Sequence, residues 1–160
     1  MPTLYVMVGL PGSGKSTWIR NNLAKLNDGE VSVVLSTDDV IEQMALDRDA
    51  TYDQVFSDCI DEAKRRVDAA ADMAVRYGLN VVWDQTNLGR KKRASILRRF
   101  PGYRRVAVVL DKPNDDEWAR RLDRPGKTIP EHVLRSMESS LVTPVSDEGF
   151  NEIWYPGRGE

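Results

Sequence analysis

Gly9-Leu10-Pro11-Gly12-Ser13-Gly14-Lys15-Ser16 is the stretch on which the fold turns. It fits the pattern G-x-x-x-x-G-K-[ST], and Thr17 follows it. Before it lies a short apolar run rich in β-formers, Thr3 to Val8 (TLYVMV). After it Trp18, Ile19, Leu23 and Leu26 recur at helical spacing, so the order reads strand, loop, helix. Glycines let a backbone curl until several N–H groups face one anion, and the following helix points its positive dipole end at the same place. Gly12, Ser13, Gly14, Lys15, Ser16 and Thr17 are therefore the expected cradle for a nucleoside triphosphate. Lys15 is expected to reach the β- and γ-phosphates, and the Ser16 hydroxyl is a hard oxygen ligand suited to Mg2+. A tight turn alone would explain the glycines but not Lys15-Ser16 at this spacing.

Outward from the loop the alternation continues. Val31 to Leu35 (VSVVL) reads as a second strand running into Ser36-Thr37-Asp38-Asp39, after which Val40, Ile41, Met44 and Ala45 begin a helical stripe. Tyr52 to Tyr77 reads as a long helix with Gly78 as its cap, and Leu79 to Trp83 as a third strand ending at Asp84. Lys91 to Phe100 reads as helix and Val106 to Leu110 as a fourth strand. Asn114 reads as the cap of a helix with Asp115, Asp116 and Glu117 in its first turn. Glu131 to Leu141 resumes a helix, and Glu152 to Tyr155 gives a short fifth strand. Short turns between alternating strands and helices predict an α/β three-layer sandwich, a parallel sheet covered on both faces, with ligands at the strands' carboxyl ends. Gly9, Asp38 and Asp84 all fall on that edge. No repeat or interdomain linker is evident, so residues 1–160 are expected to form one domain.

Composition narrows the class. With 41% hydrophobic and 30% charged residues the chain is neither disordered nor fibrous, and its longest apolar runs, such as Leu4 to Val8, are too short to cross a bilayer. The start reads as no secretory signal, which favours the cytoplasm. A single cysteine, Cys59, excludes an intrachain disulfide and a zinc site needing two sulfurs, and is expected to pack in the core. The net charge of -2 hides a segregation. Asp28 to Asp72 holds thirteen acids and four bases, whereas Gln85 to Leu110 holds eight bases and no acid, which predicts a basic surface there.

A GTPase would want an Asn-Lys-x-Asp guanine-reading motif, which is absent, and a motor would ordinarily need more chain. A small phosphotransferase remains, and it needs an acceptor site facing the γ-phosphate, a proton acceptor and cations to neutralise spreading charge. Asp38, at a strand's carboxyl end, is the expected base, with Asp39 as helix cap. Asp84 could hold metal-bound water or fix its loop, so Ser16 and Asp84 are the expected metal-side residues. Arg120 and Arg124, four apart, would share one face of a helix beside Pro125-Gly126, a lid whose arginines clamp phosphate oxygens; a solvated basic helix end is the alternative. The four tryptophans and His132 are expected to play structural parts.

Taken together these residues resemble the kinase domain of phage-type 5′-hydroxyl polynucleotide kinase. The likeness rests on GLPGSGKSTW, the Asp38-Asp39 pair, Asp84-Gln85-Thr86-Asn87-Leu88, and Arg120…Arg124…Lys127…Pro130…Val133-Leu134-Arg135-Ser136-Met137, and it spans about residues 3 to 140. The resemblance implies transfer of the γ-phosphoryl group of ATP, with Mg2+, to a 5′-hydroxyl end of DNA or RNA. It implies Lys15, Asp38, Arg120 and Arg124 as catalytic, and Arg90 to Arg105 as a backbone-binding surface. It also implies a host-cytoplasm setting if phage-encoded, and self-association, which occurs in the family. Pro144 to Phe150 is similar to a loop lying near the adenine in related kinases. Two departures stand out. The family's arginine three residues after the catalytic aspartate is Ile41 here, and the family's D-x-D phosphatase domain has no counterpart, so kinase activity alone is expected. A small-molecule kinase for a sugar or nucleoside, and a non-catalytic ATP-binding switch, are the competing readings.

Overall fold

A computed structural model describes residues 1–158, so the last two residues of the expected 1–160 domain lie outside the described residues. Five strands, β1 (Thr3–Val8), β2 (Ser32–Leu35), β3 (Asn80–Trp83), β4 (Arg104–Val109) and β5 (Glu152–Trp154), form one parallel sheet in the order β2-β3-β1-β4-β5. All six residues of β1 are buried, as a central strand covered on both faces requires. Around the sheet lie α1 (Lys15–Asn22), α2 (Thr37–Asp47), α3 (Tyr52–Tyr77), α4 (Arg90–Arg99), α5 (Asp115–Leu122) and α6 (Glu131–Ser140). Strand side chains alternate between the faces. Leu4, Val6 and Val8 pack with Val67, Ala71 and Ala74 of α3 and Ile96 and Leu97 of α4, whereas Tyr5 and Met7 pack with Ile19 of α1 and Leu26. The result is the expected three-layer α/β sandwich. Among the described residues no helix is long and apolar enough to cross a membrane.

Element ends differ from expectation where side chains cap them. α2 starts at Thr37 because Ser36, not Asp39, is its cap, with the Ser36 hydroxyl accepting from Asp39 N at 3.1 Å. This puts both Asp38 and Asp39 in the first turn. α3 matches its expected bounds, fixed by a Thr51–Gln54 capping box and by Gly78 in the left-handed region. Asn114 caps α5 as expected, accepting from Glu117 N at 2.9 Å. β4 begins two residues early, at Arg104, where the chain already pairs with Thr3.

The basic segment is not one surface. Arg93 is wholly buried, Arg99 is paired with Asp68 and Asp72, Arg104 is paired with Glu152, and Arg105 donates to Leu97 O. Arg90, Lys91, Lys92 and Arg98 remain exposed. The reason is topological: β4 carries the last two bases into the sheet, and α4 turns Arg93 inward to meet Glu148.

Candidate active site

Parallel strands bring their carboxyl ends to one edge, and the phosphate loop grows from the end of β1. Gly9 N donates to Thr86 O, tying the loop to the segment after β3. Gly14 caps α1 at φ 101°, a left-handed conformation that favours glycine, and Trp18 N donates to Gly14 O to start the helix. Lys15 Nζ donates to Gly9 O at 2.6 Å and Leu10 O at 2.8 Å, so the ammonium is folded back into the loop. Ser16 and Thr17 stand exposed in the first turn of α1. Ser13 Oγ is buried and without a partner among the described residues.

Facing the loop are the acids after β2 and β3. Burial holds the Lys15 ammonium down to about 8; Asp84 and Asp38 act in the opposite direction and Arg124 in the same one. Burial likewise raises Asp84 to about 6, offset in part by Lys15 and reinforced by Asp39 and Asp38. Asp39 is also raised, by burial first and then by Glu42. Asp38 and Asp39 are both exposed, and Asp38 Oδ1 accepts from the Tyr52 hydroxyl at 2.7 Å. Burial and that bond to Asp38 push the Tyr52 phenol well above its ordinary value. Lys127 stands on the other side, with Nζ 3.6 Å from Asp38, 2.6 Å from Glu42 and 4.5 Å from the Tyr52 ring centroid.

α5 and the turn behind it span from the phosphate loop to these acids. Trp118 Nε1 donates to Pro11 O at 2.7 Å, and Arg121 donates to Gly12 O at 3.1 Å. Beyond the helix, Arg124 and Lys127 form a short antiparallel bridge, Gly126 O accepts from Asp53 N, and Thr128 N donates to both Asp53 oxygens. Gly126 has φ 73°, and a Cβ there would lie 2.7 Å from the Thr51 side chain, so this turn fits against the start of α3 only as glycine.

A cavity of about 1740 Å³ joins both sides and is lined by Lys15, Asp38, Asp84, Arg121, Arg124 and Lys127, among others. It brings together the expected loop residues Gly12, Ser13, Gly14, Lys15, Ser16 and Thr17 with Asp38, Asp84 and Arg124. Arg120 is not brought in: it is exposed and paired with Glu117 of its own helix. The expected shared face fails because α5 ends at Leu122, which leaves Arg124 in the following turn and presents Arg121 to the loop. Residues 144–150 do not line the cavity, whereas Pro156 and Gly157 do. Sequence reading missed Tyr52, Arg121 and the part played by Trp118. Tyr52 opens a Tyr52-Phe56-Ile60 helical stripe, the one signal that it faces something.

The donors suit a magnesium nucleotide. The loop offers a helix N-terminus and a lysine for phosphates, and Ser16 and Asp84 offer hard oxygens. Among the described residues no group of three or more His, Cys, Asp or Glu could hold a metal ion. Mg2+ matches that arrangement, since it keeps waters and phosphate oxygens as most of its ligands.

Comparison with known proteins bears on the fold and the family. The chain is 29% identical over 162 residues to heterogeneous nuclear ribonucleoprotein U-like protein 2 of Mus musculus, covering 95% of this chain, and it spans about a fifth of the length of the curated relatives it matches. A protein of Chloroflexus aurantiacus assigned as a kinase superposes with TM-score 0.65 at 16% identity, over 99% of this chain and 92% of that one. A chain of the Pnkp1/Rnl/Hen1 RNA repair complex gives 0.63 at 24% identity, over 88% and 44%. A gluconokinase of Sinorhizobium meliloti 1021 gives 0.54 at 21%, over 96% and 81%. These likenesses give the chain the P-loop kinase fold. The sequence match that runs from within β1 past the end of α6, over residues 4–144, makes the chain a member of the AAA domain family AAA_33.

Proposed function

We propose that residues 1–160 act as one kinase domain that transfers the γ-phosphoryl group of ATP to the 5′-hydroxyl of a DNA or RNA end. The observation that carries the reading is the pair of facing walls in one cavity: the phosphate loop on one side and Asp38, held by Tyr52, on the other. Asp38 accepts the proton of the incoming hydroxyl. The acceptor's hydroxyl oxygen bonds to the γ-phosphorus as the bond to the β,γ-bridging oxygen breaks, and ADP leaves. Lys15 and Arg124 neutralise charge on the phosphoryl oxygens, and Arg121 takes the place expected of Arg120 over the loop. Mg2+, when bound through the phosphates near Ser16 and Asp84, supplies further charge neutralisation.

Relatives and neighbours whose names include a ribonucleoprotein and an RNA repair complex support a nucleic-acid acceptor. The gluconokinase and a sugar kinase of Janibacter favour the second reading, a small alcohol. Incubation with γ-labelled ATP and equal concentrations of a 5′-hydroxyl oligonucleotide, gluconate and nucleosides decides between them. Label in the oligonucleotide, abolished by Asp38→Asn with ATP binding retained, is the expected outcome. Label in the small alcohol alone overturns it.

A further inference from the structure

The cavity extends beyond Asp38 into a groove between α3 and α4. Tyr52, Phe56, Ile60 and Lys64 line it at four-residue spacing, one face of α3, and Lys92 and Arg99 line it from α4. Twelve residues at 1.5 Å rise make that face about 18 Å long, room for about five stacked nucleotides at 3.4 Å each. Phe56 is exposed although aromatic, and its ring lies 5.6 Å from that of Tyr52. Among the described residues neither Lys64 nor Lys92 belongs to an ion pair, while Arg99 is held by Asp68 and Asp72 at the far end.

We infer that this groove is the track for the acceptor strand behind its first nucleotide, with Phe56 stacking a base and Lys64 and Lys92 contacting phosphodiesters. The inference rests on the polynucleotide reading above and deepens it. Lys64 and Lys92 stand along the groove, where the first phosphodiesters arrive, and Asp68 at the far end is held by Arg99. At the near end, where an uncharged hydroxyl enters, Asp38, Asp39, Glu42 and Asp53 line the cavity, and Lys127 there is paired with Asp38 and Glu42. The track also accounts for Ile41. That residue is wholly buried between α2 and α3, so no side chain at its position grips the acceptor, and the lysines supply the phosphate contacts from the groove.

The test is a series of single-stranded 5′-hydroxyl DNA and RNA oligomers from two to eight nucleotides, with kcat/KM read for wild type, Phe56→Ala, Lys64→Gln/Lys92→Gln and, as a control outside the groove, Arg98→Gln. Wild type should gain efficiency up to about six nucleotides, the reacting one and about five in the groove. The double lysine variant should flatten that gain and reduce the slope of log Kd against log salt by about 1.4, two contacts at 0.7 each. Phe56→Ala should cost about tenfold on the longer oligomers, the loss of one stacked base, and Arg98→Gln should follow wild type. Transfer with an unchanged length gain and salt slope in the lysine variant overturns the groove while leaving the proposed function standing. No transfer by wild type to any oligomer overturns both. Equal gains for DNA and RNA support recognition through the shared phosphodiester backbone.

Discussion

Replacing Asp84 by Asn should make the protein more stable and less active at once. Burial raises the Asp84 carboxyl from 3.8 to about 6 despite the nearby Lys15 ammonium. At neutral pH the folded protein therefore holds an ionised group that its surroundings disfavour. At 1.36 kcal/mol for each pH unit, the difference sets an upper bound of about 3 kcal/mol on the gain from a neutral isostere. For a chain of this size that is about 6–12 °C in Tm. The sign follows from proton counting. Between pH 3.8 and about 6 the folded state binds more protons than the unfolded one, so wild type loses stability as pH rises through that window. Asn cannot titrate, so Asp84→Asn should match wild type near pH 3.5, pull ahead through pH 6 and stay ahead at pH 7. Lys15, lowered to about 8, introduces its own slope only above that pH, where the unfolded state binds the extra proton. Thermal melts of both proteins from pH 3.5 to 7.5, without nucleotide, measure the difference. A variant no more stable than wild type at pH 7, or an advantage that does not change with pH, refutes the reasoning. Phosphoryl transfer by the variant should fall, because the carboxylate proposed to stand near Mg2+ would be lost.

Tyr52→Phe removes the hydroxyl that donates to Asp38 at 2.7 Å; because Asp38 is exposed, the loss should be about 1 kcal/mol, or roughly fivefold in kcat, with KM for ATP unchanged in steady-state assays. Arg121→Ala should raise KM for ATP about tenfold, whereas Arg120→Ala should stay within about twofold, since only Arg121 reaches the loop carbonyl of Gly12. Arg93→Ala removes both bonds to Glu148 and both bonds to the carbonyls of Asn87 and Leu88, and should cost about 3–5 kcal/mol, read as a Tm lower by about 6–20 °C. A drop under about 2 °C would show that the buried pair is dispensable.

Local pattern announced the sheet and the phosphate cradle. TLYVMV, VSVVL and LNVVW are apolar runs of strand length, and the glycines with Lys15-Ser16 fix their own geometry within eight residues. What the sequence concealed depends on contacts between distant residues. Arg93 reads as one more base in a basic run, yet Glu148, 55 positions on, meets it and both are buried. Arg120 and Arg121 are neighbours in the chain, and which one faces the loop depends on where α5 comes to rest, set by Trp118 against Pro11. Asp39 reads as the cap of its helix, but α2 begins earlier, at Thr37, and the Ser36 hydroxyl takes that place by accepting from Asp39 N.

α5 and the turn after it, the proposed lid, connect the two halves of the cavity through few side chains. Arg121 and Trp118 touch the phosphate loop, and Lys127 and the Gly126 turn touch α2 and α3, with a single bridge between Arg124 and Lys127 joining these contacts. Lys127 sits between Asp38 and Glu42 while lying over the Tyr52 ring, so the residues around the proposed base also hold the proposed lid. A lid that opens must take Lys127 from Asp38, leaving that carboxylate with the Tyr52 hydroxyl as its remaining partner among those seen. Under the proposed function, closure over nucleotide and orientation of the base would be one movement, and ATP bound beneath an open lid would face a carboxylate that has lost part of its alignment. Such coupling would disfavour ATP hydrolysis by stray water until the proposed lid is in place.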